Sequence, residues 1–139
     1  MRCAKTRVNP TDVECGTLLV VDDEPAITAL VKRIAEPCGY DVVATSDVEI
    51  FKQHVRTEAT DLICMDLAMP QTDGIELMRF LAAEGCQSRL LIMSGSEPQL
   101  LQTALRLGEA LGLPVVGTIS KPLRIDELRS LLSDLCRGA

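Results

Sequence analysis

Five short apolar runs, each followed by a stretch with helical spacing, constrain this chain more than any other feature. Runs at 18–21, 40–44, 61–66, 89–93 and 115–120 are too short for helices and read as buried strands. After the first run, Ile27, Leu30, Val31 and Ile34 share one helical face. Pro25 suits the first turn, and Gly39 suits the C-cap. Ser46-Asp47-Val48-Glu49 resembles a capping box and opens a helix to about residue 56. A third helix is predicted over about 74–84. A fourth opens at Pro98, with Leu101, Ala104, Leu105 and Gly108 on one side, and breaks at Leu113-Pro114. Ile125, Leu128, Leu131, Leu132 and Leu135 mark the last amphipathic helix, read as core-facing. Strand-helix alternation of this kind requires right-handed crossovers. The fold class is therefore α/β, with a five-stranded parallel sheet covered on both faces.

The 139 residues fit one domain with a real core. Residues 1–16 lack an apolar period and read as an N-terminal tail, with the domain at 17–139. No apolar run approaches the length of a membrane span, and no signal-peptide region follows Met1-Arg2, so a cytoplasmic location is expected. A net charge of −6 and only 2% aromatics (Tyr40, Phe51, Phe80) argue against a nucleic-acid surface. The six cysteines form no C-x-x-C pair and His54 is the sole histidine, so zinc is not expected. The cysteines read as free thiols in a reducing compartment, and His54 as a solvated helix residue.

The chemistry gathers where the apolar runs stop. The first run delivers Asp22 and Asp23, the third Asp66, the fourth Ser94 and the fifth Lys121. In a parallel sheet these tips share one edge, where open α/β sheets bind ligands. Two unit charges about 4 Å apart repel by roughly 4 kcal/mol at an effective dielectric near 20. Three carboxylates at one edge therefore call for a cation. Oxygen-only ligands suit Mg²⁺ or Mn²⁺. With Lys121 and a hydroxyl nearby, the set matches a phosphoryl-transfer site with Asp66 as the attacking carboxylate.

These residues carry a resemblance. Asp22-Asp23 after Leu-Leu-Val-Val, Asp66-x-x-Met69-Pro70-x-x-Asp73-Gly74, Ser94-Gly95 and Lys121-Pro122 resemble, in order, the motifs of a response-regulator receiver domain of two-component signalling. The resemblance implies a doubly wound, flavodoxin-like (βα)5 receiver fold. It implies that Asp66 is the phosphoacceptor, charged by a sensor histidine kinase or phosphotransfer protein. Asp22, Asp23, Asp66 and the backbone carbonyl of Ala68 would serve the metal, Asp22 mainly through water. Ser94 and Lys121 would bind the phosphoryl group, and the Lys121-Pro122 bond would be cis. Such a domain assists its own phosphorylation and dephosphorylation and is not an enzyme on a separate substrate. Thr118 stands where the family usually has a switch aromatic, so the signal is expected to pass to the fourth helix and segment 113–118 without a rotor. Residues 111–122 are similar to receivers fused to EAL-type cyclic-di-GMP phosphodiesterases, which implies an output domain absent from this chain.

Two other readings compete. One is a receiver-like interaction module that works without phosphorylation. The other is an enzyme on the same fold. A flavin binder would need a phosphate-cradling loop where Asp22-Asp23-Glu24 repels phosphate, and an aspartate phosphatase would more typically have an acid at Ala68. Apolar positions on the last two helices could form a homodimer face or could all be core.

Overall fold

In the computed structural model, which describes residues 15–69, 73–95 and 97–137, the apolar runs become five parallel strands. The chain runs β1 (Gly16–Val21), α1 (Pro25–Cys38), β2 (Tyr40–Thr45), α2 (Val48–Thr57), β3 (Leu62–Asp66), α3 (Gly74–Ala83), β4 (Arg89–Ser94), α4 (Pro98–Leu111), β5 (Val115–Ser120) and α5 (Ile125–Arg137). The sheet order is β2-β1-β3-β4-β5. Its winding reverses between β1 and β3, which opens a crevice beyond their C-terminal ends.

Period-two alternation along the central strands divides the core between the two faces. Leu19, Val21, Ile63 and Met65 meet Phe51, Leu77, Met78, Leu81 and Ala104 on the side of α2, α3 and α4. Leu18, Val20, Leu62 and Cys64 meet Val31, Ile34, Leu128 and Leu132 on the side of α1 and α5. Strands covered on both faces have no polar side to show, hence the unbroken apolar runs. Gly39 ends α1 at φ 111°, a left-handed conformation that favours glycine.

Several expectations require correction. The cap of α2 is Asp47 and not Ser46: its Oδ1 accepts from the Glu49 and Ile50 amides at 2.8 and 3.4 Å. Thr45 Oγ1 accepts from the Asp47 amide at 3.0 Å and fixes the entry to the helix. Ile125 and Leu105 are 49% and 39% exposed, so the apolar faces of α5 and α4 are narrower than their spacing suggests. Ile125 opens α5 before that helix reaches the core. His54 is half-buried, and its Nε2 is buried without a hydrogen-bond partner among the described residues.

The cysteines are not all free. Cys15 and Cys136 form a disulfide with Cα atoms 5.1 Å apart, across 121 residues of sequence. A parallel sheet returns every strand to the same starting edge, so the entry to β1 lies beside the last turn of α5. Cys38, Cys64 and Cys86 are free thiols; Cys3 and most of the proposed tail lie outside the described residues. The last turns of α5 are held further by Tyr40 Oη donating to the Leu132 carbonyl and Arg89 Nη1 donating to the Leu135 carbonyl, each at 2.8 Å. Burial pushes the Tyr40 hydroxyl up to about 12, so it stays a donor at every physiological pH. Among the described residues no helix is long and apolar enough to cross a membrane.

Candidate functional site

The two strands at the switch point, β1 and β3, each lead into a buried carboxylate. Asp22 follows β1 and is 0% exposed; Asp66 closes β3 and is 1% exposed. Each ties one oxygen to the backbone two residues on. Asp22 Oδ1 accepts from the Glu24 amide at 2.9 Å, and Asp66 Oδ1 accepts from the Ala68 amide at 3.3 Å. The other oxygens face one ammonium: Lys121 Nζ lies 2.7 Å from Asp22 Oδ2 and 3.2 Å from Asp66 Oδ2. Lys121 follows the edge strand β5 and reaches across the end of β4. Its amide donates to the Ser94 carbonyl at 2.7 Å, and the Lys121–Pro122 bond is cis.

The loop after Asp66 is pinned in place. Leu67 donates its amide to the Met93 carbonyl at 3.1 Å and accepts from the Gly74 amide at 3.0 Å. Ala68 pairs with Asp73 in an antiparallel bridge, and Asp73 Oδ1 caps α3 through the Ile75 amide at 2.9 Å. Pro70 lies outside the described residues. Gly74 fits because it has no side chain: a Cβ there would stand 2.6 Å from Leu67 Cα.

The charges do not balance. Burial, above all, raises the carboxyl groups of both Asp22 and Asp66 above the ordinary carboxylate range, although Lys121 pulls each back. Burial works to lower the Lys121 ammonium, but the two carboxylates outweigh it and hold the lysine charged. Asp23, exposed, completes the acidic set: Asp22, Asp23 and Asp66 each bring a carboxylate oxygen within 4.8 Å of the others. Apart from the ion pair with Lys121, Asp22 Oδ2 and Asp66 Oδ2 have no hydrogen-bond partner among the described residues. Two buried oxygens whose one shared partner among the described residues is that ammonium, in an all-oxygen cluster, fit a hard divalent cation. They fit zinc poorly, because no nitrogen or sulfur joins them.

Sequence reasoning placed Asp22, Asp23, Asp66, Ser94 and Lys121 at this edge, and the fold brings them together there. Ser94, at the tip of β4, is buried. Thr118 is exposed on β5 and paired in register with Ile92. One participant was missed: Glu24 Oε1 lies 3.9 Å from Lys121 Nζ. Its place beside the acidic pair, in the run Asp22-Asp23-Glu24, is the available signal. Cys64, two residues before Asp66 on β3, is fully buried, and burial pushes its thiol up to about 12, so it stays protonated and inert.

Comparison with known proteins speaks to the family and the fold. Residues 18–133 match the family model described as "Response regulator receiver domain". The chain is 35% identical over 82 residues to the alkaline phosphatase synthesis transcriptional regulatory protein PhoP of Bacillus subtilis, covering 59% of this chain and 34% of that protein. It is 27% identical over 125 residues to the transcriptional regulatory protein FixJ of Bradyrhizobium diazoefficiens, covering 89% of this chain and 58% of that one. It therefore spans between a third and three fifths of the length of these curated relatives. Among solved structures, a response regulator from Colwellia psychrerythraea superposes with a TM-score of 0.81 at 31% identity, over 91% of this chain and 100% of the other.

Proposed function

This chain belongs to the response regulator receiver domain family, and from that premise we propose how its own residues take up a phosphoryl group and pass on the signal. It is the phosphoacceptor module of a two-component response regulator, and the reading that it works without phosphorylation is not favoured. The observation that carries the mechanism is the single ammonium of Lys121 shared between Asp22 Oδ2 and Asp66 Oδ2 at the sheet's switch point.

Asp22, Asp23 and Asp66, with the backbone carbonyl of Ala68, would hold Mg²⁺ or Mn²⁺, which when bound supplies charge neutralisation for incoming phosphoryl oxygens. Asp66 attacks phosphorus: its carboxylate oxygen forms the new O–P bond as the donor's N–P bond breaks. Lys121 follows the phosphoryl oxygens, and the Ser94 hydroxyl donates to the acyl phosphate, one charge-assisted bond worth roughly 1.5–3 kcal/mol. Inverting a 1:99 population needs about 5.5 kcal/mol, so Ser94 cannot drive the switch alone. With Thr118 in place of an aromatic, α4 and segment 113–118 carry the rest of the signal. A phosphoryl-mimic structure with those segments unmoved would sink that idea. The cycle is stoichiometric, with no turnover of a separate substrate. The donor is a sensor histidine kinase or a phosphotransfer protein in the cytoplasm.

The deciding experiment is intact-protein mass after incubation with Mg²⁺ and acetyl phosphate. A Mg²⁺-dependent phosphoryl adduct is expected on the wild type and none on Asp66→Asn; an equal adduct on both excludes Asp66 as the acceptor.

The raised carboxyl groups also set a pH dependence. A group whose folded pKa exceeds its unfolded value binds more protons when folded, so its contribution to stability falls as pH rises from 3.8 through the raised value. Metal-free protein therefore gains stability from Asp22 and Asp66 as pH falls through their raised values toward 3.8. Saturating Mg²⁺ reverses that trend, since ionised ligands are then favoured. Urea midpoints across pH, with and without Mg²⁺, read both slopes; parallel slopes would refute metal binding here.

Residues 1–16 form a tail to the receiver at 17–139, although Cys15 and Gly16 are already fastened to the domain. Segment 111–122 supports an EAL-type phosphodiesterase as the output, to be read as cyclic-di-GMP hydrolysis by such a domain, whether fused to this receiver or separate. Exposed Leu105, Leu111 and Ile125 support a homodimer face on α4 and α5, to be read by sedimentation.

A further inference from the structure

The opposite end of the sheet from the carboxylates holds an open cavity of about 670 Å³, walled by Cys15, Cys136, Asp61, Glu84, Cys86 and Arg89. Both cysteines of the one disulfide among the described residues are half-buried and line this cavity. We propose that the Cys15–Cys136 bond is a reversible redox latch on the last turn of α5, opened by a dithiol reductant entering this cavity.

Two observations and the proposed cytoplasmic setting support a bond built to open. First, both states have a place in the fold. Cys15 Sγ lies 3.2 Å from the Cys38 carbonyl oxygen. In the disulfide this is a contact and not a hydrogen bond, because the sulfur carries no proton. Once reduced, the Cys15 thiol finds that acceptor already in position. Second, the helix does not depend on the disulfide for its seat. Tyr40 Oη and Arg89 Nη1 hold the Leu132 and Leu135 carbonyls, and Leu128 and Leu132 are fully buried. Opening the bond therefore loosens only the last turn of α5, residues 133–137, beyond the buried Leu132, and the chain entering β1. Third, in the reducing setting proposed above, disulfides are usually transient or redox-sensing.

The chemistry balances with a dithiol. One thiolate of the reductant attacks Cys136 Sγ, forming a mixed disulfide while the Cys15–Cys136 bond breaks. Cys15 leaves as a thiolate, takes a proton and donates it to the Cys38 carbonyl. The second thiolate of the reductant then attacks the mixed disulfide and frees the Cys136 thiol. The reductant ends as its own disulfide, and two electrons have passed to the protein.

The test uses the whole chain and dithiothreitol. Protein isolated without reductant is alkylated with N-ethylmaleimide and weighed, before and after dithiothreitol in the absence of denaturant. Amide hydrogen exchange is followed in both states. The oxidised form is expected to take up two fewer alkyl groups, mapped to Cys15 and Cys136. Reduction in native buffer should leave far-UV circular dichroism unchanged. It should speed exchange over residues 133–137 by about tenfold or more, with 18–21 and 89–94 unaffected, as for a local opening. Cys136→Ser should exchange like the reduced wild type at every redox poise. The proposal is overturned if Cys15 and Cys136 both alkylate without reductant, if the bond opens only in denaturant, or if exchange over 133–137 is the same in both states. Phosphoryl uptake at Asp66 is read separately, so failure there leaves this result standing.

Discussion

Lys121→Ala is expected to lower the stability of the metal-free protein by about 3 kcal/mol at neutral pH, the lower end of what removing one partner from a buried ion pair costs. The lower end applies because the lysine side chain is 19% exposed. Asp22 and Asp66 are buried, and each has its Oδ2 on this ammonium with no other partner among the described residues. Without it, two buried carboxylates face each other and Asp23 with nothing to offset them. Saturating Mg²⁺ should recover much of the loss, because a divalent cation answers the same charges. Urea unfolding of wild type and variant, with and without Mg²⁺, measures both effects. A loss under about 1 kcal/mol without metal would mean that protonation of the carboxyl groups, and not the lysine, relieves the site.

Gly74→Val is expected to cost about 3 kcal/mol or more, at the severe end of overpacking. The first added carbon would sit 2.6 Å from Leu67 Cα and 2.7 Å from Leu67 O, both backbone atoms that cannot swing aside as a side chain could. The strain falls on the residue directly after Asp66, so Mg²⁺ affinity should fall together with stability. Gly85→Val is the contrasting control. No atom lies within 4 Å of its added carbon, but its φ of 68° penalises any side chain. Its smaller loss should leave Mg²⁺ affinity unchanged. Equal losses of affinity in both variants would show that the Leu67–Gly74 contact does not position the site.

The sequence read well where one physical cause dominates. A strand covered on both faces must be apolar throughout, so 18–21 and 89–93 announce themselves, and the polar residues that end them fall at one sheet edge. Alternation alone does not order the strands, and the order beyond parallel pairing came from the resemblance. What escaped depends on tertiary approach. Cys15 and Cys136 are 121 residues apart, and only the return of each strand to one edge makes them neighbours. Glu24 joins Lys121 across the entry to α1. Ile125 sits at helical spacing with the buried leucines yet begins α5 outside the core. His54 reads from the sequence as a solvated helix residue, but it is half-buried and its Nε2 is buried.

The sheet order leaves β2 and β5 with one side each that has no strand neighbour among the described residues. Such open sides are templates for stacking between molecules, and proteins blunt them with breaks in register. Here the break lies in β5: Leu90 pairs with Val115 and Leu91 with Gly117, so Val116 is skipped. A skipped residue bends its strand and tightens the local twist. The outer rim of β5 is thereby no longer a straight ladder of amides and carbonyls, and a second molecule arriving edge-on finds fewer bonds in line. Edge-on association through β5 is therefore tied to one valine with no part in the chemistry at the far end of the strand.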